Sequence, residues 1–245
     1  MNLRPPPQNT GSDEMDIWLE ELYDFLQFPV FPGPVGMKGS TGLTIEKTSG
    51  LGIKVDLGTP TFPWHDIIGA VVVRNTGATK PTLTTYRDTL VDYQFAAADE
   101  EYYKFHLPHD YVPGTDLHLH VHWSHAGTLV TGGTVTFEYE ISFAKGFDQD
   151  AFPASVGTTF VGTASTTQYQ HLITEVQISA SSPSANQIDT DDIEVDGIII
   201  ARLLLNSNDI TVSGGGVPDP FIHFVDIHYQ SINIGTKQKA PDFYV

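Results

Sequence analysis

The stretch Asp116–His125, DLHLHVHWSH, decides how the rest of the chain is read. Leu117, Leu119, Val121 and Trp123 alternate with His118, His120 and His122. Successive side chains of a β-strand point to opposite faces, so strict period-two alternation predicts a strand with one apolar face and one imidazole face. The apolar face belongs to a core. The histidine face is left to meet a metal, a neighbouring subunit or water.

The same period recurs on either side. In 134–143, Val135, Phe137, Tyr139, Ile141 and Phe143 share one face, and Thr136, Glu138, Glu140 and Ser142 the other. In 101–107, Tyr103, Phe105 and Leu107 alternate with Tyr102, Lys104 and His106, which turns His106 outward too. The run IIIARLLL within 196–205 is apolar on both faces and predicts a central strand or one at a subunit contact. Further candidate strands fall at 43–47, 51–56, 67–74, 90–95, 158–164, 169–179 and 221–229, between turn-rich segments such as HDYVPGTD, SSPSAN and SGGGVPDP. Many short strands without intervening helices predict an all-β fold, two antiparallel sheets packed as a β-sandwich of jelly-roll type.

The N-terminus reads differently. Residues 1–11, with Pro5, Pro6 and Pro7, predict an extended arm. Ser12 suits a helix cap, Asp13, Glu14 and Asp16 suit the positive end of a helix dipole, and Trp18, Leu22, Phe25 and Leu26 fall on one helical face. The spacing predicts an amphipathic helix over 13–27, ended by Pro29, whose polar face is acidic and carries no basic residue. That helix either packs on its own domain or docks on another protein. The Pro- and Gly-dense segment 29–42 predicts a linker, which divides the chain into an attachment segment, 1–42, and a sandwich domain, 43–245.

Composition narrows the function. At 245 residues the chain can bury a full core. With no cysteine it has no thiolate metal site, thiol nucleophile or disulfide. A formal charge of −18, from 12 basic against 30 acidic residues, excludes nucleic acid as the main ligand, because that affinity comes from Lys and Arg displacing counterions. The opening MNLRPPPQN lacks the apolar run of a signal peptide, and no stretch approaches the ~18 apolar residues of a membrane span. A soluble protein made in the cytoplasm is expected.

Three chemistries compete for the histidine face. Gly114, five residues, then His120-Val121-His122 matches the opening of the cupin pattern, but Ala126 and Gly127 stand where a Glu is required, and the second cupin motif is missing from SGGGVPDPFIHF. The alternation also turns these histidines away from the core, where a cupin metal sits. An ion between subunits is the second possibility, held by copies of His118, His120 and His122 around a symmetry axis, since alternate residues of one strand stand ~7 Å apart. The third is an ordinary interface or surface. Ser124-His125, Asp191-Asp192 and Asp99-Glu100-Glu101 form no recognisable triad, and neither a G-x-S-x-G elbow nor a phosphate loop is present. No catalytic residue and no cofactor are therefore expected.

From Trp64 to Val245 the chain resembles a widespread group of tailed-bacteriophage structural proteins of similar length. The segments carrying the resemblance are WHDIIG (64–69), FHLPHDYVPGTDLHLHVHWSHAG (105–127), TVTFEYEISFAKG (134–146), ASTTQYQHLITEVQISAS (164–181), DTDDIEVDGIIIARLLL (189–205) and VSGGGVPDPFIHFVDIHYQSINIGTKQKAPDFYV (212–245). The resemblance implies a virion component and carries over no catalytic residue. Together with the residues it leads to the expectation of a non-enzymatic jelly-roll protein, oligomeric and trimeric, joined to capsid or tail proteins through residues 1–42. Head decoration or a head fibre is favoured over the alternative, a tail fibre or a receptor- or carbohydrate-binding tail module recognising a host-surface glycan. A cupin-like metalloprotein ranks last. The expected contact residues are Trp18, Leu22, Phe25, Leu26, His106, His120 and His122.

Overall fold

The computed structural model describes residues 43–48, 52–57, 62–75, 77, 79–232, 236 and 239–243. The expected arm, helix and linker, with Trp18, Leu22, Phe25 and Leu26, lie outside them. The chain divides into two compact units, 1–61 and 62–245. In the first, β1 (Leu43–Thr48) and β2 (Gly52–Leu57) pair antiparallel from Leu43↔Leu57 to Thr48↔Gly52. The composition break expected at 42/43 and this division at 61/62 therefore differ in where they assign the hairpin.

The second unit contains β3 (Trp64–Ile68), β4 (Ala70–Arg74), β5 (Thr82–Arg87), β6 (Leu90–Gln94), β7 (Glu100–His106), β8 (His118–His125), β9 (Val130–Ala144) and β10 (Val156–Thr163). They are followed by β11 (Leu172–Gln177), the two-residue β12 (Ser179–Ala180) and β13 (Ile188–Asp189), β14 (Ile198–Val212) and β15 (Pro220–Gln230). One sheet has the order β10-β9-β14-β7-β4, and the other β11-β8-β15-β6-β5 with β3 also on β15. Every pairing within these two sheets is antiparallel. The chain changes sheet between β3 and β4, β4 and β5, β6 and β7, β7 and β8, β8 and β9, β10 and β11, and β14 and β15, and returns from β11 to β14 by way of β12 and β13. This is the antiparallel β-sandwich of jelly-roll type that the sequence predicts.

Alternation supplies the core. Leu117, Leu119, Val121 and Trp123 from the β8 segment meet Val135, Phe137, Tyr139 and Ile141 from β9, all essentially without solvent contact. The Trp123 indole packs edge-on against Phe137, with ring centroids 6.0 Å apart. β14 lies at the centre of its sheet, as the two-sided apolar run predicts, and turns Ile199, Ala201, Leu203 and Leu205 inward.

Among the departures from the sequence reading, two concern how the sheets are built. The single strand expected at 67–74 is broken at Gly69, so that β3 joins the six-stranded sheet and β4 the five-stranded one. The Gly69 N–H donates to the Val225 carbonyl (2.8 Å), and a Cβ at this position would stand 2.7 Å from the Phe105 ring. The chain can cross between the sheets there only with a residue that lacks a side chain. β5, TLTTYR, was not anticipated, because it hangs on β6 at the sheet edge and lacks an alternating apolar face.

Candidate functional site

Strand register assembles the histidine face row by row. Across β11, β8 and β15 the first row is Ile173, His122 and Phe224. The second runs Glu175, His120, Asp226 and, on β3, Ile68. The third runs Gln177, His118, His228 and Asp66, and Gln230 beside Trp64 closes the fourth. The outer face of the six-stranded sheet thus has a centre of imidazoles and carboxylates rimmed by exposed Ile68, Trp64, Ile173 and Phe224.

Although turned away from the core, this centre is not wet. His120, His122 and Asp226 are 5%, 7% and 3% exposed. Flanking side chains lie over them: Phe224 stacks on His122 with centroids 4.0 Å apart, and His228 lies 3.8 Å from His120. His120 Nε2 donates to Glu175 Oε2 at 2.6 Å, while His118 Nδ1 stands 3.7 Å from the other Glu175 oxygen. His122 Nδ1 and His171 Nε2 share a hydrogen bond of 2.8 Å. His228 Nε2 pairs with Asp66.

Protonation follows from these neighbours. The His120 hydrogen bond, with His118 nearby, holds the Glu175 carboxyl below its usual range against a smaller opposing effect of burial. Burial pushes Asp226 upward, with Asp66 adding, while His122 and His120 oppose. Burial likewise pushes His122 down, aided by His171 and His120 and opposed by Asp226. Desolvation dominates at both groups and favours their uncharged forms.

The expected residues are only partly gathered. His118, His120 and His122 share the face, but His106 projects from β7 on the opposite sheet and is tied to Asp196 at 3.0 Å. Within one chain His106 is therefore not brought together with His120 and His122, since the outer faces of two stacked sheets point in opposite directions. Among the described residues, the set with metal-ligand spacing is His120, Asp226 and His228, and of the three histidines considered for a metal it includes only His120. Asp226 and His228 were not singled out, yet their signal is in FIHFVDIHY (221–229), where Val225, Ile227 and Tyr229 alternate inward against Asp226 and His228. Glu175 and Asp66 carry no comparable signal alone, because strand pairing brings them in.

A second cluster lies on the same sheet. Ser124 Oγ stands 2.9 Å from His223 Nε2, and His223 Nδ1 donates to Asp92 Oδ2 at 2.6 Å. The atoms follow the order of a Ser-His-Asp triad, which the pairing of Ser124 with His125 in sequence concealed. Ser124 is 0% exposed, however, and the Tyr86 hydroxyl lies 3.0 Å from its Oγ. The Tyr86 ring packs on His223 and Phe221, at 5.1 and 5.0 Å. With Tyr86 over it the hydroxyl has no room for an attacked carbonyl, and the four residues form a relay fastening β5, β6, β8 and β15 together. His125 turns elsewhere, to the Ser165 carbonyl at 2.7 Å.

On the outer face of the five-stranded sheet, Arg202 reaches Glu100 (2.6 Å), Glu140 (2.9 Å) and Glu138 (3.6 Å). A shallow depression of about 380 Å³ beside it is lined by Tyr102, Ser142, Ser155 and Ile200. Among the described residues no helix is long and apolar enough to cross a membrane.

Fold and site together define an antiparallel β-sandwich with a buried imidazole-carboxylate face. No protein-family model matches the chain, and no curated protein matches it. Among solved structures it is similar to one described as TmCBM61 in complex with β-1,4-galactotriose, at 10% identity over 69% of this chain and 89% of that one. The TM-score is 0.26, a likeness too slight to carry an argument about function.

Proposed function

We propose that the protein is a non-enzymatic structural component of a tailed-bacteriophage particle, self-associating through the outer face of its six-stranded sheet and joined to the particle through residues 1–42. The observation that carries the reading is the rim of Ile68, Trp64, Ile173 and Phe224, four large exposed apolar side chains on one sheet face. Apolar side chains gathered on a surface mark sites of association, and covering the area they still expose is worth roughly 25 cal/mol per Å². A closed cyclic trimer covers such faces without leaving a free copy of the surface. The resemblance to phage structural proteins supports a place on the virion, and a body without repeats suits a head decoration or fibre better than a long tail shaft.

Light scattering of the full-length chain tests the association. Three chain masses are expected, falling to one when Ile68→Lys and Ile173→Lys are combined; a wild-type monomer at every concentration would overturn it. Quantitative mass spectrometry of purified particles tests the virion role, with a fixed stoichiometric copy number as the expected result and absence from particles as the refuting one. A second reading, a glycan-binding tail module, draws on Trp64, 48% exposed with its ring beside His118 and His228. It requires glycan-array binding that Trp64→Ala abolishes.

A further inference from the structure

The geometry points to a divalent-metal site built within one chain from His120, Asp226 and His228. His120 on β8 faces Asp226 on β15 in register, and His228 follows two positions along the same face of β15. One donor atom from each residue lies within 4.8 Å of the other two.

The argument begins with the His120 ring. Its Nε2 is 2.6 Å from Glu175 Oε2, and an ionised carboxylate only accepts, so Nε2 carries the proton and Nδ1 of the neutral ring is a bare lone pair. That lone pair faces Asp226 Oδ1 at 3.6 Å. Neither atom has a hydrogen-bond partner, and both residues are more than nine-tenths buried. Two buried polar atoms left without a partner are destabilising, and the same burial disfavours the charged carboxylate of Asp226. A dication between them supplies both with a bond and holds Asp226 ionised. In a tetrahedral zinc site with bonds of about 2.0–2.1 Å, neighbouring donors stand about 3.3–3.4 Å apart, so the observed gap needs only a few tenths of an ångström of contraction.

His228 repeats the pattern. Its Nε2 is engaged by Asp66, which leaves Nδ1 for a metal. Both histidines are thus held from behind by a carboxylate, the arrangement that fixes the tautomer and orientation of metal-bound imidazoles. Two imidazole nitrogens and one carboxylate oxygen suit zinc or another late first-row dication, and three protein ligands leave a fourth position for water. The surrounding carboxylates of Asp226, Glu175 and Asp66 favour a dication electrostatically. The His228 side chain, 31% exposed, supplies the way in. This site does not rest on the virion reading, and either can fail without the other.

The test uses the full-length chain without a polyhistidine tag, stripped with a chelator and titrated calorimetrically with Zn²⁺, then loaded with Co²⁺ for its visible spectrum. One zinc per chain, a rise in Tm on loading and a tetrahedral cobalt spectrum are expected. His228→Gln and Asp226→Asn should each weaken binding at least tenfold and remove the Tm shift, and Glu175→Gln should weaken it by about 10–100-fold. If Asp226→Asn fails to fold, the part-exposed His228→Gln decides. Absence of saturable binding in the wild type would overturn the site. Unchanged binding in His228→Gln would overturn it equally, by placing the metal among the other histidines.

Discussion

Ser124 shows how one residue's chemistry is set by partners that its sequence neighbours do not reveal. Its hydroxyl bridges Tyr86 and His223 in full burial. Ser124→Ala removes the partner of the part-buried Tyr86 hydroxyl and of His223 Nε2, while His223 keeps Asp92, and a loss of roughly 0.5–1.5 kcal/mol of stability is expected in urea unfolding. A fluorophosphonate probe is expected to leave Ser124 unmodified in the native protein; native labelling at this position would show that Oγ is reachable and reopen the hydrolase chemistry of the relay. The histidine face divides in the same way. The facing of His118, His120 and His122 is legible because alternation is local, and the sequence places them correctly opposite Leu117, Leu119 and Val121. Their partners are not legible, because Glu175, Asp226 and Asp66 come from other strands whose register is decided by packing. Burial escaped for the same reason: it comes from Phe224 and His228 lying over the imidazoles.

At the scale of the element, the central place of β14 was legible, since a run apolar on both faces belongs in the middle of a sheet, but its continuation past Leu205 to Val212 was not. Less legible was the outward Arg202, which interrupts that run and ties β14 to Glu100 on β7 and to Glu138 and Glu140 on β9. Burial pushes the Glu100 carboxyl upward, but hydrogen bonds from Arg202, Tyr102 and Asn75 outweigh it and hold the group below its ordinary value of 4.5. The folded state therefore binds fewer protons than the unfolded chain in this region. The resulting stabilisation is fully present above that ordinary value and is lost as pH falls through the depressed folded one. Urea midpoints measured downward from neutral pH should decline below pH ~4.5 in the wild type and less steeply in Arg202→Gln; parallel curves would count against this pairing. The break at Gly69 and the edge strand β5 were the illegible elements. One depends on where the chain crosses between sheets, and the other on pairing without a buried face.

For the whole molecule the open question is where the folding unit begins. Composition sets the break at 42/43, where a Pro/Gly segment gives way to strands, whereas the compact units divide at 61/62. The two boundaries differ only by the segment that contains β1 and β2, which pair with each other. The buried core cluster of the described residues extends from Phe95 to Phe243, and both sheets of the sandwich are built from Trp64 onward. A domain of this size buries roughly 70% of the surface its unfolded chain exposes, enough to be stable without staples. A chain beginning at Phe62 is therefore expected to unfold in urea as one cooperative transition, with backbone circular dichroism and tryptophan fluorescence losing their signals at the same midpoint. Non-coincident transitions would show that 62–245 does not fold as a unit by itself and would favour the boundary that composition suggests.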